Sequence, residues 1–133
     1  MNKKQALEFL EEQTNSIKPL YKSQANAYWE ATTTGNPKAY EEYEFRQKEI
    51  AKFFNNPENF KKVKEFINSH IQDPLIKRQL IILYNSYLSN QGDLSLINKI
   101  LQKSTEIEQK FNTFRAKIGE KELTDNDIKE VLK

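Results

Sequence analysis

Asn56-Pro57-Glu58-Asn59-Phe60-Lys61-Lys62-Val63-Lys64-Glu65-Phe66-Ile67-Asn68-Ser69-His70-Ile71-Gln72-Asp73-Pro74-Leu75-Ile76-Lys77-Arg78-Gln79-Leu80 is the stretch that decides the fold. It holds two Asx-Pro pairs, and Asn36-Pro37 supplies a third upstream. An Asx side chain accepts from the open N–H groups of a first helical turn, and proline at the first helical position lacks only an N–H that would have been unpaired. Each pair therefore marks a helix start. After Pro57 the apolar residues Phe60, Val63, Phe66, Ile67 and Ile71 recur at helical spacing, so a short helix is predicted to end before Asp73. After Pro74 the run Leu75, Ile76, Leu80, Ile81, Leu83, Tyr84, Tyr87 and Leu88 predicts the most apolar helix, reaching about Asn90 and lying at the centre of the fold.

Upstream, Pro37 to Phe54 reads as a helix with Tyr40, Tyr43, Gln47, Ile50 and Phe54 on one stripe and Glu41, Glu42, Glu44 and Lys48 towards water. The opening helix is predicted from about Lys3 to Thr33, with a kink or break near Ser16 to Lys18, because Pro19 removes a hydrogen bond and crowds the preceding turn. Downstream, Asp93 caps a long fifth helix carrying Ile97, Ile100, Leu101, Ile107, Phe111, Phe114 and, if it extends to Gly119, Ile118. A short hairpin around Gly119 is the other reading of that end. Thr124, with Asp127 three residues on, starts a sixth helix at Asp125 containing Ile128, Val131 and Leu132. The expectation is an all-α fold of about six helices in one domain over residues 1–133, the long ones antiparallel in a bundle-like array.

Composition narrows the chemistry. The 133 residues include no cysteine and one histidine, which leaves no thiolate site, no cysteine nucleophile and no multi-histidine zinc centre within this chain. Lys+Arg 21 against Asp+Glu 19 gives a net charge of +2 with the signs interleaved, unlike the concentrated basic face that nucleic acid requires. No segment approaches the ~20 apolar residues of a membrane span. Met1-Asn2-Lys3-Lys4 resembles a signal-peptide start, but Gln5, Glu8, Glu11 and Glu12 interrupt any apolar run, so the chain is expected to be cytoplasmic or exported with its leader missing here. The hydrophobic fraction of 37%, low against the ~45–50% of ordinary domains, suggests an elongated body or part of something larger.

Chemistry-bearing motifs are absent. There is no Gly-rich phosphate loop, HExxH pair or nucleophile elbow. His70 has no nucleophile or base partner nearby in the sequence, Glu41-Glu42-Glu44 complements a helix start, and Lys61, Lys62 and Lys64 read as a solvated face. Neither a catalytic nor a metal-ligating residue is expected. Tyr21, Tyr28, Trp29, Tyr40 and Tyr43, on the first two helices, are core packing or a binding surface, since aromatics enrich both.

Phe9-Leu10-Glu11-Glu12 and then Ala25-Asn26-Ala27-Tyr28-Trp29-Glu30-Ala31-Thr32-Thr33 resemble the opening helix of angiotensin-converting-enzyme-like zinc metallopeptidases and their oligoendopeptidase F relatives. Asp73 to Leu80 is similar to a family helix opening on Asp-Pro, an apolar residue and a basic pair, and Leu123-Thr124-Asp125-Asn126-Asp127-Ile128 resembles the stretch leading into the next family helix. The likeness covers nearly the whole chain in the family's order. It implies the N-terminal cover of a deep substrate channel in a zinc-dependent peptidase acting on oligopeptides or peptide ends. The zinc, its HExxH helix and the downstream glutamate belong to a catalytic body that this chain lacks, and no ligand or catalytic residue maps onto it. The implied partners are that body and peptide substrates, with Tyr21, Tyr28, Trp29, Tyr40 and Tyr43 contributing to substrate admission or to the body interface. As an isolated fragment the chain is expected to expose apolar surface and to dimerise. The rival reading is a self-standing helical interaction module that binds a partner helix.

Overall fold

A computed structural model describes all residues, Met1–Lys133. The order is α1 (Lys3–Thr34), α2 (Pro37–Phe54), α3 (Pro57–Asn68), α4 (Pro74–Leu88), α5 (Leu94–Thr113), β1 (Ala116–Ile118), β2 (Lys121–Leu123) and α6 (Asp125–Val131). The fold is all-α with a two-stranded antiparallel hairpin, Ala116 facing Leu123 and Ile118 facing Lys121 across Gly119. The Asx-Pro reading is realised in hydrogen bonds. Asn36 Oδ1 accepts from Lys38 N, Asn56 Oδ1 from Asn59 N, and Asp73 Oδ1 from both Leu75 N and Ile76 N. At α6, Thr124 and Asp127 each accept from the other's backbone N–H.

α1 turns back onto α2 across Gly35, whose φ of 68° is the left-handed conformation that closes a helix at little cost to glycine. The pairing is antiparallel: Ala6, Phe9 and Leu10 near the start of α1 share a core with Ile50 and Phe54 near the end of α2, while Ala31 meets Ala39 and Tyr40 at the other end. Just before the turn, the Thr32, Thr33 and Thr34 hydroxyls donate to the Tyr28, Trp29 and Glu30 carbonyls at 2.6–2.8 Å. These hydroxyls are second donors to carbonyls of the last full turn, back-bonding within the helix just before it closes.

The main core joins α1 to α4. Phe60 of α3 stacks on Tyr84 of α4 at 5.4 Å between ring centroids, Phe54 meets Tyr87 edge-on at 5.1 Å, and Phe9 stacks on Phe66 at 5.3 Å. Tyr87 and Leu80 are the most completely buried residues of α4. Lys3 pairs with Asp73 at 2.8 Å and ties the start of α1 to the cap of α4.

Several expectations are corrected. α1 runs through Pro19 unbroken and ends at Thr34. Pro19 and Asn15, whose carbonyl loses its N–H partner, are both exposed, so water can serve that carbonyl, while Ile17 and Leu20 pack against the core on either side. α3 stops at Asn68, and Ile71 is buried from the connection beyond it. α4 stops at Leu88, short of Asn90. Nor is α4 central: Leu75, Ile81 and Leu88 face solvent, and α2 is the helix held between α1 and α5. α5 ends at Thr113, leaving Phe114 as its cap and Ile118 in β1. Of its predicted apolar stripe, Ile97 and Leu101 are half-buried, whereas Ile100, Ile107, Phe111 and Phe114 face solvent.

Candidate functional interface

α5 shows why. It lies antiparallel on α2, with Leu94, Ile97 and Leu101 half-buried on its inner side and two polar bonds to α2, Asn112 Nδ2 donating to Tyr40 Oη at 3.2 Å and Gln47 Nε2 to Thr105 Oγ1 at 2.9 Å; in the connection before α5, Asn55 Nδ2 donates to the Asn90 and Gly92 carbonyls at 2.6 and 3.1 Å. Gln91 Nε2 adds a bond to the Phe54 carbonyl at 2.8 Å. Thr105 is the one residue of α5 that is fully buried. Beyond Leu101 the inner side is polar, at Thr105 and Asn112, and the apolar side chains turn out. Ile107 is 68% exposed, Phe111 82% and Phe114 67%; Leu96 and Ile100 continue the stripe toward the helix start. Ile118, Val131 and Leu132 on the hairpin and α6 are also exposed, and α6 buries none of its residues.

The five aromatic residues singled out by sequence are distributed among different surroundings. Tyr40 is buried at 1% exposure beside Ala31 and Ala39, its hydroxyl accepting from Asn112. Tyr43 packs on that cluster, and its ring lies 5.2 Å from that of Tyr28. Burial pushes the Tyr43 phenol up to about 12, with the neighbouring Glu108 and Tyr28 adding to the effect. Trp29 is 72% exposed and stands outside this group. Tyr21, two turns before Tyr28, lines a separate cleft between α1 and α4, and its phenol is raised by burial. The structure thus brings Tyr28, Tyr40 and Tyr43 together at the α1–α2–α5 corner. The half-buried Glu108 carboxylate lies near Tyr43.

That cleft has a volume of about 290 Å³ and is lined by Leu10, Ile17, Ile82 and Leu83, by the buried Gln13, and by the uncharged polar residues Thr14, Gln79 and Ser86. The Tyr87 hydroxyl, raised above its ordinary pKa mainly by burial, donates to Gln13 Oε1. Sequence reasoning passes over Gln13 because a glutamine between Glu12 and Thr14 looks like helix surface. Its register with Phe9, Leu10 and Ile17 is the available signal.

The remaining candidates are structural. Glu42 and Glu49 flank Arg46 at 2.7 and 2.9 Å, and Glu44 pairs with Lys48. Lys64 Nζ sits 4.0 Å above the Phe60 ring. His70 is exposed in the α3–α4 connection, and no three His, Asp or Glu side chains gather to hold a metal ion. No helix is long and apolar enough to cross a membrane. Compared with family models, curated proteins and solved structures, the chain matches none.

Proposed function

We propose that this chain is the N-terminal, channel-covering region of a zinc-dependent peptidase that acts on oligopeptides or peptide ends, and that it supplies no catalytic group itself. The observation that carries this reading is the outward apolar stripe of α5, with Ile107, Phe111 and Phe114 each more than two-thirds exposed. A contiguous exposed apolar strip marks a protein contact. Ordered helices with such a strip suit a region that seats on a larger body. The identity of that body rests on the sequence resemblance, whose segments fall on α1, on the start of α4 and on β2 with α6. The zinc would belong to the body.

A self-standing interaction module would use the same α5 face, so the two readings are separated by the size of the native product. An antibody against this chain should detect, in extracts of the source cells, a protein several times larger than 15.7 kDa. After purification, its peptidase activity should be lost on metal chelation. A native band at 15.7 kDa, or a larger protein without chelator-sensitive peptidase activity, would refute the proposal. The smaller band would favour the interaction module.

A further inference from the structure

We infer that the α1–α4 cleft is a binding site for a neutral peptide segment, taking one apolar side chain while the adjoining main-chain carbonyl accepts from Gln13 Nε2. Gln13 is only 4% exposed, and its amide is oriented from behind: Oε1 accepts the Tyr87 hydroxyl. Nε2 makes no hydrogen bond within the protein, and it is not among the atoms sealed from solvent, which places this free donor at the cleft that Gln13 lines. Water in the cleft serves this donor in the free protein, and a ligand acceptor placed there takes over the bond.

The lining limits what that ligand can be. No Lys, Arg, His, Asp or Glu lines the cleft, so a carboxylate or phosphate finds no counter-ion and an ammonium finds no carboxylate. A neutral group with a strong acceptor beside an apolar body fits both the amide and the walls, and a peptide carbonyl next to a leucine- or phenylalanine-sized side chain has that form. The volume of about 290 Å³ lies at the small end for ligand sites, which suits one residue of a longer segment. Ile82, 51% exposed, and Tyr21, 46% exposed, form an apolar rim against which the flanking chain can lie. This inference stands apart from the channel-cover reading, because the cleft and the α5 face share no residue and the test below uses no peptidase.

The experiment is an NMR titration of the 15N-labelled chain with N-acetyl-phenylalaninamide, with N-acetyl-glycinamide and octanol as comparisons. The first should shift the Gln13 side-chain NH₂ and the Ile82 amide saturably, with a dissociation constant on the order of millimolar. The glycine compound, lacking the side chain, and octanol, lacking the carbonyl, should each bind at least about tenfold more weakly. Gln13→Glu, studied at pH 8, keeps an acceptor for Tyr87 but loses the donors, and should weaken binding about tenfold or more. Ile82→Ala, on the exposed rim, should weaken it about threefold without touching the core. Absence of saturable shifts in the unaltered chain would overturn the inference. So would equal binding of either comparison compound, or undiminished binding by a folded Gln13→Glu chain. If Gln13→Glu does not fold, undiminished binding by Ile82→Ala overturns it instead.

Discussion

Replacing Thr105 by valine should loosen α5, because beyond the half-buried Leu101 its inner side is held to α2 by hydrogen bonds from Gln47 and Asn112. Thr105 is 3% exposed; its hydroxyl accepts from Gln47 Nε2 at 2.9 Å and donates to the Leu101 carbonyl at 2.9 Å. Valine has nearly the same shape, so the change removes polarity without opening a void. The Leu101 carbonyl retains the backbone N–H of its own helix, leaving the half-buried Gln47 amide as the group that loses its partner. That loss should cost about 1 kcal/mol. In a chain of 133 residues it corresponds to a fall in Tm of roughly 3–5 °C. Gln47→Leu combined with Thr105→Val replaces both partners by apolar groups and should recover most of the loss, giving a coupling of about 1 kcal/mol in a double-mutant cycle. Native-state hydrogen exchange locates the effect. In Thr105→Val, amides from Ile97 to Lys110 should exchange about fivefold faster, while those of Val63 and Leu80, buried in the main core, should slow or quicken only with global stability. Strictly additive single and double variants, or unchanged exchange of the amides from Ile97 to Lys110, would refute the Gln47–Thr105 bond as a fastening of α5.

Leu80→Ala, at 1% exposure, should cost about 2–5 kcal/mol, whereas Phe111→Asp, at 82%, should change stability by less than about 0.5 kcal/mol; comparable losses in thermal denaturation would mean that the α5 stripe is buried. Asp73 is held below the usual carboxylate range first by its bond to Lys3 and then by the Ile76 N–H. Its contribution is therefore complete above the ordinary value of about 3.9 and disappears as pH falls through the lower folded value. Asp73→Asn keeps the helix cap but should flatten the acid limb of a Tm–pH curve below about pH 4, and an unaltered limb would discount the Lys3 bond. The Tyr43 phenol, pushed up to about 12 chiefly by burial, favours the neutral form in the fold, so its contribution is complete below about 10 and declines as pH rises through about 12. In an absorbance titration Tyr43→Phe should remove the most alkaline phenol transition, and its persistence would assign that transition to another of the six tyrosines.

Helix starts were the most legible feature of the chain because their chemistry is local. An Asx side chain and the proline after it act within one turn, whatever the rest of the protein does, and Asn36, Asn56 and Asp73 cap as the dipeptides imply. Facing is not local. The same periodicity that places Ile107, Phe111 and Phe114 on one side of α5 cannot state whether that side meets the bundle, and here Thr105 and Asn112 do so instead. Gln47, interrupting the stripe of Tyr40, Tyr43, Ile50 and Phe54, was the readable sign that α2 has a polar neighbour. Pro19 shows the converse limit: the lost hydrogen bond is certain from sequence, but whether the helix breaks depends on burial of the freed carbonyl and on packing at either side. The aromatic set divides for a related reason, since Trp29 lies 100° around the helix from Tyr28 and no short-range pattern tells which of the two meets α2.

The inverted sidedness of α5 also bears on how a partner could seat. If its apolar face were turned into the bundle, binding a body through that face would require the helix to be pulled out of its own core. With Leu101, Thr105 and Asn112 holding the inner side against α2, the outer face is available while the fold stays closed. Phe111 and Phe114, at 82% and 67% exposure, together present roughly 300 Å² of apolar surface, given ~200 Å² for a phenylalanine. Covering it would contribute at most about 7.5 kcal/mol at ~25 cal/mol per Å², before the cost of association is subtracted. That is comparable with the whole stability of a small domain. A seat of this strength needs no rearrangement of α1 to α4.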